Sequence, residues 1–441
     1  MFLFNPENDL ALANFGEHYM PPESARRLGW DLSVLPAWYA PSNSLLLSDN
    51  PLDGDFLSRM NGLLLMDIKI VNSSEIADWD KPIFPWGWNP TLRKRLLNLG
   101  VEEQTVATKQ YLQTIRDYSN RLNAVKIHNS LMSKYSNTSV IPRDDESHFH
   151  RLFLGENSYR AGILSDSENN INGSLSSQNL LFCGSPHYFR DVNEVLLYLS
   201  KQSGDCVLKM PLSGSGKGLV WIKNGITDKQ TDWCRRVILN QGGVVAEPAF
   251  NRVQDFAMEF FIHNANITFE GYSLFNSASS GAYAGNQLIS DLCIEQTLSE
   301  FLPINELHAL RESVELELVK HFPNYNGYLG VDMMVCKIGE SYCVHPCLEV
   351  NLRMNMGLVA HRINEQFVGE NSMGHFNIAY FKSSNDALSF ELKNKLEHPL
   401  EIIDGKVVKG FLPLNPVNKN TRYIAYALIT NKDYLCYSLL K

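Results

Sequence analysis

The run GYLGVDMMVCKIGESYCVHPCLEVNLRMNMG, residues 327–357, carries Asp332, Glu349, Asn351 and Arg353 at intervals that suit metal chemistry. VDMMVC and YCVHPCLEVN are apolar, β-branched stretches on either side of a tight turn at Gly339, the pattern of a hairpin. Alternate side chains of a strand share a face, so Glu349, Asn351 and Arg353 project together while the chain stays extended. The antiparallel partner carries Asp332 to within about one residue pair of Glu349. Two carboxylates and an amide oxygen at one place suit Mg²⁺ (or Mn²⁺), which takes oxygen ligands and leaves room for water and phosphate. With no cation between them, two such acids resist ionising together. Arg353 adds a planar fork of the kind that holds phosphate.

A second run, KMPLSGSGKGLVWIKNG at residues 209–225, is rich in glycine and small hydroxyl residues. It is not a P-loop. Pro211 stands where the first glycine belongs, and Gly218 follows Lys217 where a metal-binding hydroxyl belongs. CVLKM before it and GLVWIK after it both read as strands, whereas a P-loop leads from a strand into a helix. The run therefore reads as a glycine-rich turn that folds over a ligand as a flap. A third cluster, Cys343, His345 and Cys347, falls on one face of a regular strand. No second ligand pair follows it, and it reads as buried strand rather than a zinc site.

These segments need a scaffold, and 441 residues are enough for two to four domains. A hydrophobic content of 44% and a charged content of 20% are those of a globular chain, and a net charge of −9 without dense basic runs argues against nucleic acid or an anionic membrane as partner. No stretch approaches the roughly 20 apolar residues of a membrane span. The N-terminus lacks the basic region of a signal peptide, and eight scattered cysteines without a CxxC fit reduced thiols, so a cytoplasmic location is expected.

Residues 1–105 read as a small α/β unit with a parallel sheet. MFLFNP and LLLMDIKIV are its strands, SARRLGWDLSVLP a helix then a strand, and NPTLRKRLLNLG a helix stopped by Gly100. Asn8 and Asp9 follow the first strand, where such sheets bind ligands and where turn and capping chemistry also favours them. PWGWN, residues 85–89, reads as a rigid packing turn. TKQYLQTIRDYSNRLNAVKIHNSLM reads as helix, residues 136–182 as an exposed polar insertion, and VVAEPAF and DFAMEFFIH as strands. After Gly374 come strand-like pieces with no recognisable chemistry.

Three elements, VLKMPLSGSGKG, VVAEPAF and LEVNLR, stand in the order found in the ATP-grasp superfamily of carboxylate–amine ligases, which the chain resembles over roughly residues 105–370. The resemblance implies an α/β ATP-grasp fold. Its parts would be an N-terminal Rossmann-like unit (1–105), a first subdomain with the flap (106–250), a second with the metal hairpin (251–375) and a C-terminal extension (376–441). By position, Lys209 would contact phosphate and the adenine edge, and Ser213, Gly214, Ser215, Gly216, Lys217 and Gly218 would cover the phosphates. Glu247, Pro248, Ala249 and Phe250 would form the adenine hinge, with Asp255 at the ribose. Arg121 would be the second phosphate cation, a place usually held by lysine, for which Lys126 or Lys109 are alternatives. Asp332, Glu349 and Asn351 would hold the metal and Arg353 would clamp phosphate. Tyr283, Asn286, Asn8 and Asp9 are the acceptor contacts expected here.

The implied reaction is phosphorylation of a small carboxylate, such as an amino acid or peptide, to an acyl phosphate that an amine attacks. The cofactors would be ATP and Mg²⁺, the partners two small molecules, and a homodimer is one assembly open to it. Two other readings stand beside this one: an ATP-binding regulatory or scaffolding protein without turnover, and a phosphotransferase acting on a hydroxyl.

Overall fold

A computed structural model describes residues 1–135, 181–214, 218–277 and 283–432, so the expected insertion (bar its last two residues) and the flap tip at Ser215, Gly216 and Lys217 lie outside the described residues. The fold is mixed α/β, with three sheets among the described residues.

The first sheet is parallel, in the order β3-β2-β1-β4, from β1 (Phe2–Leu3), β2 (Ser44–Leu47), β3 (Ile68–Val71) and β4 (Phe84–Pro85). Two strands expected here are shorter or absent. SARRLGWDLSVLP forms the helix Glu23–Asp31 and then a 3₁₀ turn, Leu35–Trp38, because Pro36 sets a helical φ and the apolar run is buried by turning rather than by pairing. Leu63 and Leu64 end the helix Asp53–Leu64 and Leu65 caps it in the left-handed conformation, leaving only Ile68–Val71 as strand. The helix Pro90–Asn98 is capped by the Asn89 side chain and ends before Gly100, whose φ of +84° takes the left-handed conformation.

The second sheet is antiparallel, in the order β5-β8-β6-β7, from β5 (His187–Phe189), β6 (Cys206–Lys209), β7 (Leu219–Ile222) and β8 (Val244–Pro248). The two-residue period sorts its side chains. Cys206, Leu208, Ile222, Val244 and Ala246 form a core with the helices Val192–Ser200 and Asp228–Gln241, while Val207, Lys209, Leu219, Trp221 and Glu247 face a cleft.

The third sheet has nine strands, in the order β13-β12-β9-β10-β11-β14-β17-β16-β15. These are β9 (Arg252–His263), β10 (Asn266–Ser277), β11 (Tyr283–Leu288), β12 (Gly327–Ile338), β13 (Ser341–Asn351), β14 (Ser372–Tyr380), β15 (Glu401–Ile403), β16 (Lys406–Pro413) and β17 (Tyr423–Asn431). Phe256, Met258, Phe260 and Ile262 of β9 pack with the helices Arg121–Tyr135 and Ile304–His321; Asp255, Ala257 and Glu259 face the cleft. The segments after Gly374 continue this sheet through β14, which runs across residue 375. Leu412, Ala425, Ala427 and Ile429 share one core with Phe4, Trp38 and Leu46 of the N-terminal unit, and Trp38 Nε1 donates to the Leu414 carbonyl at 2.7 Å. Burial of each such large side chain stabilises by about 1.5–3 kcal/mol, so the two ends of the chain hold one core together.

Candidate active site

Sheets two and three enclose a cleft of about 440 Å³. Its apolar part is lined by Val207, Leu219, Trp221, Phe250, Met334 and Leu348, side chains of the kind that receive an aromatic ring system. Pro248 and Ala249 line it as well, and all four residues from Glu247 to Phe250 reach the cleft.

Lys209, at the end of β6, pairs with Glu247 across the β6–β8 ladder, and both are buried. His345 Nε2 donates to the other oxygen of Glu247 at 3.1 Å. Burial alone would push the Glu247 carboxyl up; Lys209 and His345 outweigh it and hold the carboxyl well below the usual range. His345 packs against His128 with ring centroids 4.8 Å apart, and burial followed by the repulsion of His345 pushes His128 down to about 3. The three-residue face expected at Cys343, His345 and Cys347 does not form. The β12–β13 ladder slips where Pro346 cannot donate, so Cys343 joins Cys183 and Cys336 while Cys347 joins the main core. Among the described residues no group of three or more His, Cys, Asp or Glu is arranged to hold a metal.

On the same ladder Asp332 stands directly opposite Glu349, and Gly330 opposite Asn351. Asn351 Nδ2 donates to Asp332 Oδ2 at 3.1 Å. Burial, then the Glu349 charge, pushes Asp332 up to about 7. Two hard-oxygen acids that disfavour joint ionisation, with an amide beside them, fit a divalent cation whose remaining ligands come from phosphate and water.

Arg121 begins its helix because the expected single helix breaks at Ser119 and Asn120: Asn120 Oδ1 accepts from Leu122 N at 2.9 Å, and Lys109–Tyr118 ends before it. Its guanidinium reaches Glu349 Oε2 at 2.6 Å and donates to Ser213 Oγ at 2.7 Å and to the Met210 carbonyl at 2.5 Å. Lys109 instead pairs with Glu17 on the surface and Lys126 is exposed, so neither alternative reaches the cleft.

Arg353 donates a bidentate pair to Asp9: Nε to Oδ1 at 2.7 Å and Nη2 to Oδ2 at 2.6 Å. Gly214 of the flap abuts the same carboxylate so closely that a Cβ there would overlap it. Asp9 thereby joins the N-terminal unit to the hairpin. Its neighbour Asn8 is buried against Asn89 and, with Asp9, lines a small adjoining pocket that also takes in Ser213, Glu349, Asn351 and Arg353. The Gly218 carbonyl accepts from Met210 N at 2.9 Å and closes the flap's base. Asp255 lines the cleft and pairs with Arg252 at 3.1 Å; burial first, with Arg252 opposing, leaves its carboxyl raised. Tyr283 and Asn286 line the cleft too, bonded to each other, and Asn286 Nδ2 donates to Ser273 Oγ at 2.6 Å.

Sequence reasoning missed Glu259, Asn355, Ser273 and Arg252, all of which line the cleft. Glu259 had a signal: it is the acid inside the apolar run DFAMEFFIH, and an acid so placed is rarely buried without a partner. Burial pushes its carboxyl up to about 8.

No family model and no curated protein matches the chain. Among solved structures it is similar to N5-carboxyaminoimidazole synthetase from Staphylococcus aureus, complexed with ADP, at 14% identity and a TM-score of 0.43, over 89% of this chain and 94% of that one. It is similar to the biotin carboxylase of Campylobacter jejuni at 11% and 0.46, over 98% and 87%. For an L-amino acid ligase from Bacillus licheniformis the values are 11% and 0.39, over 88% and 93%. Likenesses at this level assign neither a family nor a reaction. No helix among the described residues is long and apolar enough to cross a membrane.

Proposed function

We propose that this chain is a Mg-ATP-dependent ligase of the ATP-grasp type, which activates a small carboxylate as an acyl phosphate for attack by an amine. One observation carries the reading: the register of β12 and β13 puts Asp332 opposite Glu349 beside Asn351, in a cleft that also holds an apolar cluster of Val207, Leu219, Trp221, Phe250, Met334 and Leu348. Adenine fits this cluster, with the Glu247–Phe250 backbone beside it and Asp255 toward the ribose. Lys209, Arg121 and Arg353 are the cations in reach of the phosphates. Asp332, Glu349 and Asn351 would hold Mg²⁺, which when bound supplies charge neutralisation at the transferring phosphoryl group.

What the chain's own residues do is position and polarise. Lys209 and Arg121 are held rigidly by their carboxylate and carbonyl partners, so they meet the phosphates with little reorganisation. Arg353 exchanges its Asp9 partner for a ligand anion, beside Gly214 at the base of the glycine-rich turn. Such chemistry needs no protein nucleophile, because the carboxylate substrate attacks phosphorus and the amine attacks the acyl carbon. The cytoplasm, where ATP and reduced thiols coexist, is the compartment this reaction would use.

The test is ADP release across pools of small carboxylates and amines, with wild type and Asp332→Asn. Release that needs both substrate classes, and falls by several orders of magnitude in Asp332→Asn, supports the ligase. Tight nucleotide binding without ADP under any pool leaves the binding module. A phosphorylated but unjoined product points to the phosphotransferase.

A further inference from the structure

The ladder between β9 and β12 orders the cleft from end to end. Asp255 stands opposite Met334 at the apolar cluster, Ala257 opposite Asp332 at the metal pair, and Glu259 opposite Gly330 one step beyond. That step carries Glu259 roughly 6–7 Å past the metal pair, away from the apolar cluster.

Glu259 is 1% exposed and lines the cleft. Asn355 Nδ2 donates to its Oε2 at 2.7 Å; among the described residues no lysine, arginine or histidine pairs with it, and Oε1 receives no hydrogen bond. Two glycines make its berth: a Cβ on Gly330 would overlap Oε2, and one on Gly357 would overlap Oε1. Ser273, Asn286 and Tyr283 beside it are neutral, and the two charges that act on it, Asp332 and Arg353, work in opposite directions. A carboxylate at this depth with one neutral donor lacks the counter-charge that buried acids require. Every nearby cation has its own acid: Arg353 holds Asp9, and Arg121 holds Glu349. The missing positive charge is therefore one that a ligand brings.

We infer that Glu259, flanked by Asn355 and Ser273, receives the nitrogen of the acceptor substrate, and that the acceptor is a primary amine entering as its ammonium ion. This rests on the ligase reading, which requires an amine beyond the transferred phosphoryl group, where the ladder puts Glu259.

The experiment uses the full chain loaded with Mg²⁺ and a non-hydrolysable ATP analogue, whose thermal stabilisation is recorded first. Glycinamide, its uncharged counterpart acetamide and glycine are then titrated. Wild type should bind glycinamide in preference to acetamide, and Glu259→Gln should raise the apparent Kd for glycinamide by about tenfold or more while keeping the Mg-nucleotide stabilisation. Should Glu259→Gln not fold, the wild-type preference for glycinamide over acetamide decides. Equal binding of those two, or of glycinamide to both proteins, overturns the inference while leaving the ligase reading in place. So does a preference confined to glycine, which would give the ammonium to the carboxylate substrate. Loss of the Mg-dependent increment alone in Glu259→Gln would make Glu259 a metal ligand instead and likewise overturn it. Absence of any Mg-nucleotide stabilisation in wild type overturns the ligase reading, and this inference with it.

Discussion

The two ends of the cleft are built on opposite electrostatic plans. At the apolar end Lys209 and Glu247 are paired and His345 completes the acid's bonding, so the charges are balanced before any ligand arrives. At the acid pair and one step beyond it, half-buried Asp332 and buried Glu259 each have a neutral amide as hydrogen-bond donor, and both carboxyls are pushed up, to about 7 and about 8. The first arrangement is rigid and self-sufficient. The second is destabilised when ionised and is relieved by incoming positive charge. The proposed ligands, an anionic nucleotide at one end and cations at the other, are served by this asymmetry.

The largest effect should come from breaking the balanced end. Lys209→Met strands Glu247 in the interior, and removing one partner of a buried pair costs about 3–5 kcal/mol. Stability by denaturant titration should fall by that order, and nucleotide binding should be lost. The double variant Lys209→Met, Glu247→Gln should recover much of the stability and none of the nucleotide binding. Recovery of both would remove Lys209 from the phosphate site.

A second prediction addresses the unbalanced end through pH. The folded-state carboxyls of Glu259 and Asp332 lie above their unfolded values, so each group's contribution is most favourable below about pH 4 and is lost as pH rises through about 7 for Asp332 and about 8 for Glu259. Metal-free Glu259→Gln should therefore gain most over wild type near pH 8.5, by about 2 °C or more in Tm, with the gain shrinking toward pH 5. A gain that does not vary with pH would show that Glu259 is not an ionising buried acid.

The smallest effect concerns the Asp9–Arg353 contact, which sits between the two ends and is partly exposed, at 22% and 15% of the respective side chains. Asp9→Asn should free the Arg353 fork and tighten phosphate-bearing ligands about two- to tenfold, with little change in Tm. Weaker binding would mean that Asp9 orients Arg353 rather than competes for it.

Legibility in the sequence depended on distance along the chain. The Asp332–Glu349 pairing was readable because a tight turn at Gly339 and two short strands dictate it locally, and the ladder agrees. Lys209 was readable as a buried strand lysine before a glycine-rich turn. The flank of Asn120 that splits one expected helix into two, and so sets Arg121 at the metal pair, depends on a side-chain cap that competes weakly with helix propensity. The consequence is plain in Glu349→Gln. On the hairpin alone it relieves repulsion with Asp332, but with Arg121 at 2.6 Å and nearly buried it also removes that guanidinium's counter-charge. For that reason Asp332→Asn is the cleaner test of the metal pair.

The residues proposed for phosphate and a divalent cation, and the strand–turn–strand units that carry them, were legible in the sequence itself, since period-two patterning and turn chemistry act over a few residues. The tertiary structure decided which acid each cation holds. Asp9 meets Arg353 across 344 positions and Glu247 meets His345 across 98. Only tertiary packing, too, set Glu259 beyond the metal pair, because the β9–β12 register joins strands separated in the chain by β10, β11 and a pair of helices. Such pairings are fixed by which cores the strands bury, through contacts no local pattern encodes.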